Sequence, residues 1–503
     1  MKNNFYRFLK KEYLFLYLII LIGAFLRLQG VFTNSFAFTY DVGRDMLELW
    51  NIAYLHKIPL IGATTGLPGV FYGPWWYFFL TPFFFIFSGN PQGLALMMSL
   101  VGIASIFLGF MLGRKIGGSF LGLSLAALIS TSPVFISLSA QIWNPNVAPL
   151  FVLLILVVLH KIYSSDKANK LKYYFLLGLL LVLVIDLEII FGLLLSLGII
   201  ISVILIVNKR IPLKGVASFV LGWLVILLPR IVFELRHGFL MTKSFFAFFF
   251  TATSSKQINT PLPNPFIDKF GVIFSQFNST LAANNRWLGL IVLIYVVFST
   301  VLFYKKSEEN IRNFIKTSVV VILVFLTGTI FFNHDIWPHY LVGVPVFYIL
   351  LCGIGFYNLG KRLSGFVIPA IIIVVLFILN LNPAMVFQSL TQPLWEGDDS
   401  VYRNQLAVVD YVYKQANGKS FKFVVYTPGV NDYVYKYLFK WYGPWKYHYS
   451  PTIKVNTAYF ILEPDYQDPT RLPDWLKKRS GDGIIIKDVM VKAKIRVQTR
   501  LVH

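Results

Sequence analysis

In the stretch FTYDVGRDMLELW, residues 38–50, Asp41, Asp45 and Glu48 follow one another at spacings of four and three, with Arg44 among them. On a helix from about Val42 the three acids share one face, and Met46, Trp50, Ala53 and Tyr54 share another. A carboxylate can take the proton of an incoming hydroxyl while a guanidinium beside it stabilises a departing anion. A structural account fits the same residues: Asp41 caps a helix after an extended FTY, while Asp45 and Glu48 pair with Arg44.

Further acids stand where their type is costly. Asp186 and Glu188 interrupt an apolar region, where a carboxylate costs about 2.5–3.5 kcal/mol on insertion scales. They require a wet cavity, a basic partner, or both. Arg230, Glu234, Arg236, His237 and Lys243 cluster after another apolar run, and NHDIWPHY supplies His334, Asp335, His339 and Tyr340. No HxxxH or HExxH pattern is present, so no metal is required, although a divalent ion held by carboxylates and histidines from distant loops stays open. The single cysteine, Cys352, excludes an internal disulfide and a thiolate metal site.

The elements that must position these residues are membrane helices. Of the 503 residues 56% are hydrophobic and only 14% charged, with a mean hydropathy of +0.66; soluble domains carry about 25% charge. Apolar runs recur from Leu14 to Leu381, each long enough for a bilayer. The net charge of +22 is not a nucleic-acid footprint. It sits in short gaps between apolar runs, at Lys2–Lys11, Arg114–Lys115, Lys161–Lys172, Lys209–Lys214, Lys305–Lys316 and Lys361–Arg362, as cytoplasmic loops require. The first run reads as a retained helix, not a cleaved signal, because no small-residue cleavage pattern follows it.

Placing those clusters inside fixes the parity of crossings. Helix one, about 13–31, delivers residues 32–91 outside. The stretch 73–88, GPWWYFFLTPFFFIFS, cannot also cross without turning every later basic loop outward; short, with Pro74 and Pro82 and many aromatics, it reads as an interfacial helix. The remaining crossings are 92–112, 117–137, 146–161, 173–189, 191–207, 216–233, 287–304, 317–332, 340–358 and 365–382, eleven in all. A second external loop spans 234–286. Residues 1–384 thus form the membrane domain of an all-α polytopic protein. Residues 385–503 form a small extracytoplasmic α/β domain with strands in FKFVVYT, AYFILE and GIIIKDVMVKAKIRV, and a helix ending at Gly418. The pairs Gly113/Gly117 and Gly69/Gly73 mark turns or close packing.

At these residues the chain resembles the membrane glycosyltransferases of the GT-C class, within the superfamily of protein O-mannosyltransferases and lipid A aminoarabinose transferases. The family's first external loop carries a D-E-x-R-like motif leading an interfacial helix, then a G/H-P-rich stretch opening a second one. YDVGRDM supplies Asp41 and Arg44, and FYGPWWYFFL, which includes Tyr72, occupies the second place. SAQIWNPNVAPL, LPRIVFELRHGF and HYLVGVPVFYILLCGIG also resemble bacterial members. Val42 departs from the family's Glu, and Asp45 stands where an aromatic is frequent.

The resemblance implies a sugar donor linked to a polyprenyl phosphate, inverting transfer to an extracytoplasmic glycan, lipid or protein, no nucleotide-sugar site, and a multi-pass place in a bacterial cytoplasmic membrane. Asp41 matches the catalytic carboxylate, with Asp45 a competing base. Candidates for the donor phosphate and substrates are Arg44, Arg230, Arg236, His237, His339, Tyr340, Asp186, Glu188 and Tyr72; among the arginines the resemblance supports only Arg44. Two other classes stay open: a transporter or flippase for a lipid-linked or anionic solute, disfavoured by the absence of an internal repeat, and a scaffold whose tail binds cell-wall material.

Overall fold

A computed structural model describes residues 11–164, 170–207, 211–251, 265–330, 336–382, 386–387, 396–429, 431–453 and 455–502. His334 and Asp335 lie outside them.

The chain opens with α1 (Lys11–Phe32), α2 (Tyr40–Leu55) and α3 (Trp75–Ile86), then the long α4 (Pro91–Thr131) and the short α5 (Pro133–Ala140). Helices α6 (Ala148–Tyr163), α7 (Leu171–Leu187), α8 (Ile189–Val207) and α9 (Leu213–Arg236) follow, then α10 (Leu240–Thr251), α11 (Pro265–Leu281), α12 (Arg286–Tyr304), α13 (Glu309–Ile330), α14 (Pro345–Arg362) and α15 (Val367–Leu381). Among the described residues seven helices are long and apolar enough to cross a membrane. Helix α3, at 12 residues, reaches only about 18 Å and cannot span a hydrocarbon core of about 30 Å.

Two breaks fold long apolar runs back on themselves. In α4 the backbone leaves the helical region at Gly117 and Gly118, where Gly118 has φ +83°. Gly113 and Gly122 then pack backbone to backbone, too closely for any Cβ. Between α7 and α8 a single extended residue, Glu188 (φ −151°, ψ 109°), reverses the chain, and Gly192 lies against the backbone of Ile185. That reversal needs no turn-forming residue, so the sequence carries no signal for it.

The basic turns gather at one end of the bundle. Arg114 pairs with Glu12 at 3.1 Å and donates to the Tyr13 hydroxyl, Asn310 donates to the Ile116 carbonyl, Lys361 lies 3.8 Å from Glu308, and the Phe120 and Phe366 rings lie 4.5 Å apart in a tilted contact. Asp186 and Glu188 stand at the opposite end of α7 from its lysines.

After α15 come α16 (Tyr402–Ala416), β1 (Lys422–Tyr426), α17 (Tyr433–Tyr447), β2 (Thr457–Leu462), α18 (Arg471–Lys477), β3 (Ile484–Lys492) and β4 (Ile495–Leu501). The sheet order is β1-β2-β4-β3, with β1 parallel to β2 and the other neighbours antiparallel. Helix α16 ends as its sequence predicts, with Asn417 and Gly418 at φ +45° and +78°. This unit packs hard on the first loop. Phe36, Phe38, Met46 and Leu49 share one apolar core with Trp76, Leu80, Tyr402, Tyr435 and Tyr437, and Phe38 and Tyr402 exchange backbone hydrogen bonds with Ser400 and Phe36.

That core corrects one expectation. An interfacial helix, as the family motif implies here, would turn this apolar face to lipid, yet Met46 is fully buried, because α17 covers that face. Its Lys440 ammonium lies 5.0 Å above the Trp50 ring. Only Tyr54, half exposed, remains outside.

Candidate functional site

Helix α2 presents its acids unequally. Thr39 is the N-cap without a side-chain cap bond, so Asp41 stands in the first turn, where the helix dipole favours its charge. The Arg44 guanidinium bridges both acids. Nη1 lies 2.6 Å from Asp41 Oδ1, and Nε and Nη2 reach Asp45 Oδ1 at 3.0 and 2.8 Å. Asp45 also accepts from Trp76 Nε1 at 2.9 Å and from the Tyr77 hydroxyl at 3.4 Å. It is 1% exposed, whereas Asp41 and Arg44 are each 23% exposed. Burial pushes the Asp45 carboxyl up, and Arg44 and the Trp76 bond offset only part of that. Glu48 accepts from Asn51 at 3.1 Å instead of Arg44.

The pairing account of Arg44 is therefore right for Asp45 and wrong for Glu48, and Asp41, expected to cap the helix, pairs with Arg44 instead. Asp45 is a closed, saturated acceptor that fixes Arg44. Asp41 keeps access. The donors from Trp76 and Tyr77 are not evident in the sequence, where GPWWYFFL reads as membrane aromatics; a polar edge on an aromatic beside a buried acid is their only signal.

The second acidic group lies at the α7–α8 reversal. Asp186 approaches Arg230 Nη2 at 2.8 Å, the basic partner its position required, but without the alignment of a hydrogen bond. Arg230 Nε is buried with no acceptor. Gly73 packs on the Asp186 carboxylate so closely that any side chain there would collide with it, and its N–H donates to the Asp186 carbonyl at 3.2 Å. Glu188 accepts from the Tyr72 hydroxyl at 3.1 Å. Burial first, then Glu188, raise the pKa of the Tyr72 hydroxyl, and the charge of Asp41 adds to the effect. Glu188 acts likewise on Tyr340. Tyr72 thus ties the two acidic groups into one neighbourhood, with Tyr340 beside it.

His339 lies in the 3-10 turn Pro338–Leu341, its ring 5.0 Å from Trp143, 5.5 Å from Trp337 and 4.5 Å from Tyr340. Burial lowers it to about 4, which keeps it neutral. His237 and Arg236 stand apart. The His237 ring stacks on Phe233 at 4.1 Å, Arg236 is exposed at the end of α9, and among the described residues no contact joins either to α2. Glu234 caps α10, accepting from the Met241 and Thr242 amides. Among the described residues no group of three or more His, Cys, Asp or Glu side chains is arranged to hold a metal.

Beside these acids lies an apolar cavity of about 250 Å³ lined by Trp75, Phe78, Phe79, Phe151, Leu183 and Leu187. Trp75 is fixed by its indole N–H on the Ile226 carbonyl at 2.8 Å. The cavity therefore adjoins both Gly73 and the Asp186 turn.

No protein-family model and no curated protein matches the chain. Among solved structures it is similar to ArnT from Cupriavidus metallidurans bound to undecaprenyl phosphate, at 12% identity over 97% of each chain with a TM-score of 0.59. The same protein in its apo state gives 10% identity over 90% of this chain and 96% of that one, with a TM-score of 0.53. An oligosaccharyltransferase from Archaeoglobus fulgidus, tethered with an acceptor peptide, aligns at 11% identity over 85% of this chain and 63% of that one, with a TM-score of 0.48. The chain has the GT-C fold, an all-helical membrane bundle with a small α/β unit at its C-terminus.

Proposed function

We propose that the chain is a membrane glycosyltransferase that moves a sugar from a polyprenyl phosphate to a hydroxyl of an extracytoplasmic acceptor, with Asp41 as the base. The observation that carries this reading is the division of labour on α2: a buried Asp45 holds Arg44, and Arg44 holds a partly exposed Asp41. A base must reach the proton it takes, and of the two acids only Asp41 has that access.

The acceptor oxygen attacks the anomeric carbon from the face opposite the phosphate while its proton passes to Asp41. The anomeric carbon–oxygen bond breaks, and its electron pair leaves on the polyprenyl phosphate. That group departs without protonation, so one carboxylate suffices where glycosidases use two. Arg230, with a buried N–H lacking an acceptor, suits the phosphate, since an anion would satisfy it. Tyr72 and Tyr340 offer hydroxyls beside Glu188. The apolar cavity next to Trp75 suits the first isoprene units, and the undecaprenyl phosphate named for the similar ArnT structure is a ligand of that chemistry. The positive-inside rule sets this end of the bundle outside.

The test gives purified chain in detergent a polyprenyl phosphate carrying a radiolabelled sugar. Released polyprenyl phosphate, lost in Asp41→Asn, is the expected result. No release from any donor, or full turnover in Asp41→Asn with loss in Asp45→Asn alone, overturns the reading.

A further inference from the structure

A second cavity, of about 380 Å³, opens where the first loop meets the C-terminal helices, within the size range of small-ligand sites. Asn34, Asn90, Tyr402, Trp441, Tyr442 and Trp445 line it. None of them takes part in the site on α2.

Its walls are built, not incidental. Trp441 donates its indole N–H to the Ser88 carbonyl at 2.8 Å, and Tyr402 donates to Asn90 Oδ1 at 3.2 Å. The planes of Tyr437 and Trp441 lie within 12° of each other and those of Trp441 and Trp445 within 9°, so α17 offers a run of near-parallel rings, with Tyr442 tilted beside it. Trp445 is 66% exposed at its end. An exposed ring in line with buried ones is a stacking platform for a flat apolar face.

Apart from Lys446, the polar groups that line the cleft are neutral. Lys446 on the rim is bound to both Asp410 oxygens at 2.9 Å and to the Tyr442 hydroxyl at 2.7 Å, so its charge is already answered. Asn34 is held at φ +53° by backbone bonds to Val31 and Arg403, and its side-chain carbonyl is buried with no donor. A buried acceptor left unmade costs about 1–3 kcal/mol. The oxygen is covered, so an occupant satisfies it with a hydroxyl or amide only by drawing the Asn34 amide into the cleft that Asn34 lines.

A pyranose has the matching chemistry: an apolar C–H face for Trp445, and rim hydroxyls for amides. We propose that this cleft binds a neutral pyranose unit of a glycan. An aromatic belt at the membrane surface would use the same tryptophans, but it calls for neither a concave site nor an amide acceptor buried without a donor. The proposal stands apart from the transferase reading, since binding is measured without turnover.

The test is saturation-transfer NMR on the full chain in detergent micelles, with methyl glycosides of glucose, galactose, mannose and N-acetylglucosamine as probes and glucose 6-phosphate as the charged comparator. At least one neutral glycoside is expected to bind saturably and in preference to the phosphate. Trp445→Ala and Asn34→Gly each weaken it about tenfold or more; glycine keeps the positive φ relaxed while removing the amide. Asp41→Asn leaves the binding unchanged, which separates this site from the other. Binding of no neutral glycoside, binding unchanged in both cleft variants, or preference for the phosphate overturns the proposal.

Discussion

Gly43 sets the distance between the α2 helix and the α17 helix, and replacing it with alanine tests whether the C-terminal unit positions Asp41. A Cβ at Gly43 would lie 2.5 Å from the amide nitrogen of Val434, 2.7 Å from the carbonyl carbon of Tyr433 and 2.8 Å from the Val434 Cα. All three are backbone atoms, which no rotamer change relieves. Opening the closest approach to an ordinary 3.4 Å contact moves one helix off the other by about 0.9 Å, on the scale where misplacement of a catalytic group costs about 100-fold. Overpacking of this kind also costs about 1–3 kcal/mol of stability. Gly43→Ala is therefore expected to lower kcat/KM for release of polyprenyl phosphate about 100-fold, with a modest fall in Tm. Gly66→Ala is the control, because nothing lies within 4 Å of a Cβ there; it should leave both unchanged. A Gly43→Ala enzyme with normal kcat/KM would refute the idea that packing on α17 places the base.

Other outcomes follow from the same geometry. Asp41→Asn should lose about 10²–10⁴-fold in turnover at unchanged Tm, as stopped and continuous assays at saturating donor would show. Trp76→Phe removes one bond to the buried Asp45 carboxylate and should cost about 1.5–3 kcal/mol, read by denaturation, with a smaller loss of activity than Asp41→Asn. Arg230→Gln should raise KM for the donor more than it lowers kcat, and Arg230→Lys should not rescue it, since an ammonium lacks the planar fork. In the C-terminal unit, Glu463 is buried beneath the Tyr435 hydroxyl at 3.0 Å, and burial, with help from Asp399, raises it to about 8. Its folded form holds a proton that the unfolded chain releases above the ordinary range near 4.5, so stability should fall as pH rises from about 4.5 to 8 and level off beyond. Glu463→Gln should flatten that fall, with the larger gain in Tm at pH 8 than at pH 5.

Helix positions were legible because a span must satisfy its own backbone and bury its side chains in lipid, which writes long apolar runs into the sequence. The breaks were less so. Gly117 and Gly118 announce one reversal, whereas Glu188 achieves another with ordinary extended angles. The acids were legible for a related reason: carboxylates are costly near lipid, and Asp186 found the arginine its burial demanded. Arg27 was not read at all. It is 3% exposed within α1 and is satisfied by the Ser139 hydroxyl and by the carbonyls of Gly23, Ile129 and Ser130, mostly main-chain partners that no side-chain pattern reveals.

The choice between Asp41 and Asp45 shows where such reading stops. Both lie on the same face of α2 at i and i+4, so spacing gives them equal standing. Their environments differ because α3 folds across Asp45 and supplies the Trp76 and Tyr77 donors. Helix α17, from a segment nearly 400 residues away, closes the apolar face of α2, with Val434 against Gly43. Exposure is a property of that assembly and not of the motif. A carboxylate with four donors around it has little capacity left to take a proton from a substrate, and one braced only from the side retains it. The same packing that withdraws Asp45 from solvent leaves Asp41 at the edge of the acidic neighbourhood, electrostatically within reach of Tyr72. On the proposed reading, the base is the acid that the tertiary fold leaves uncovered.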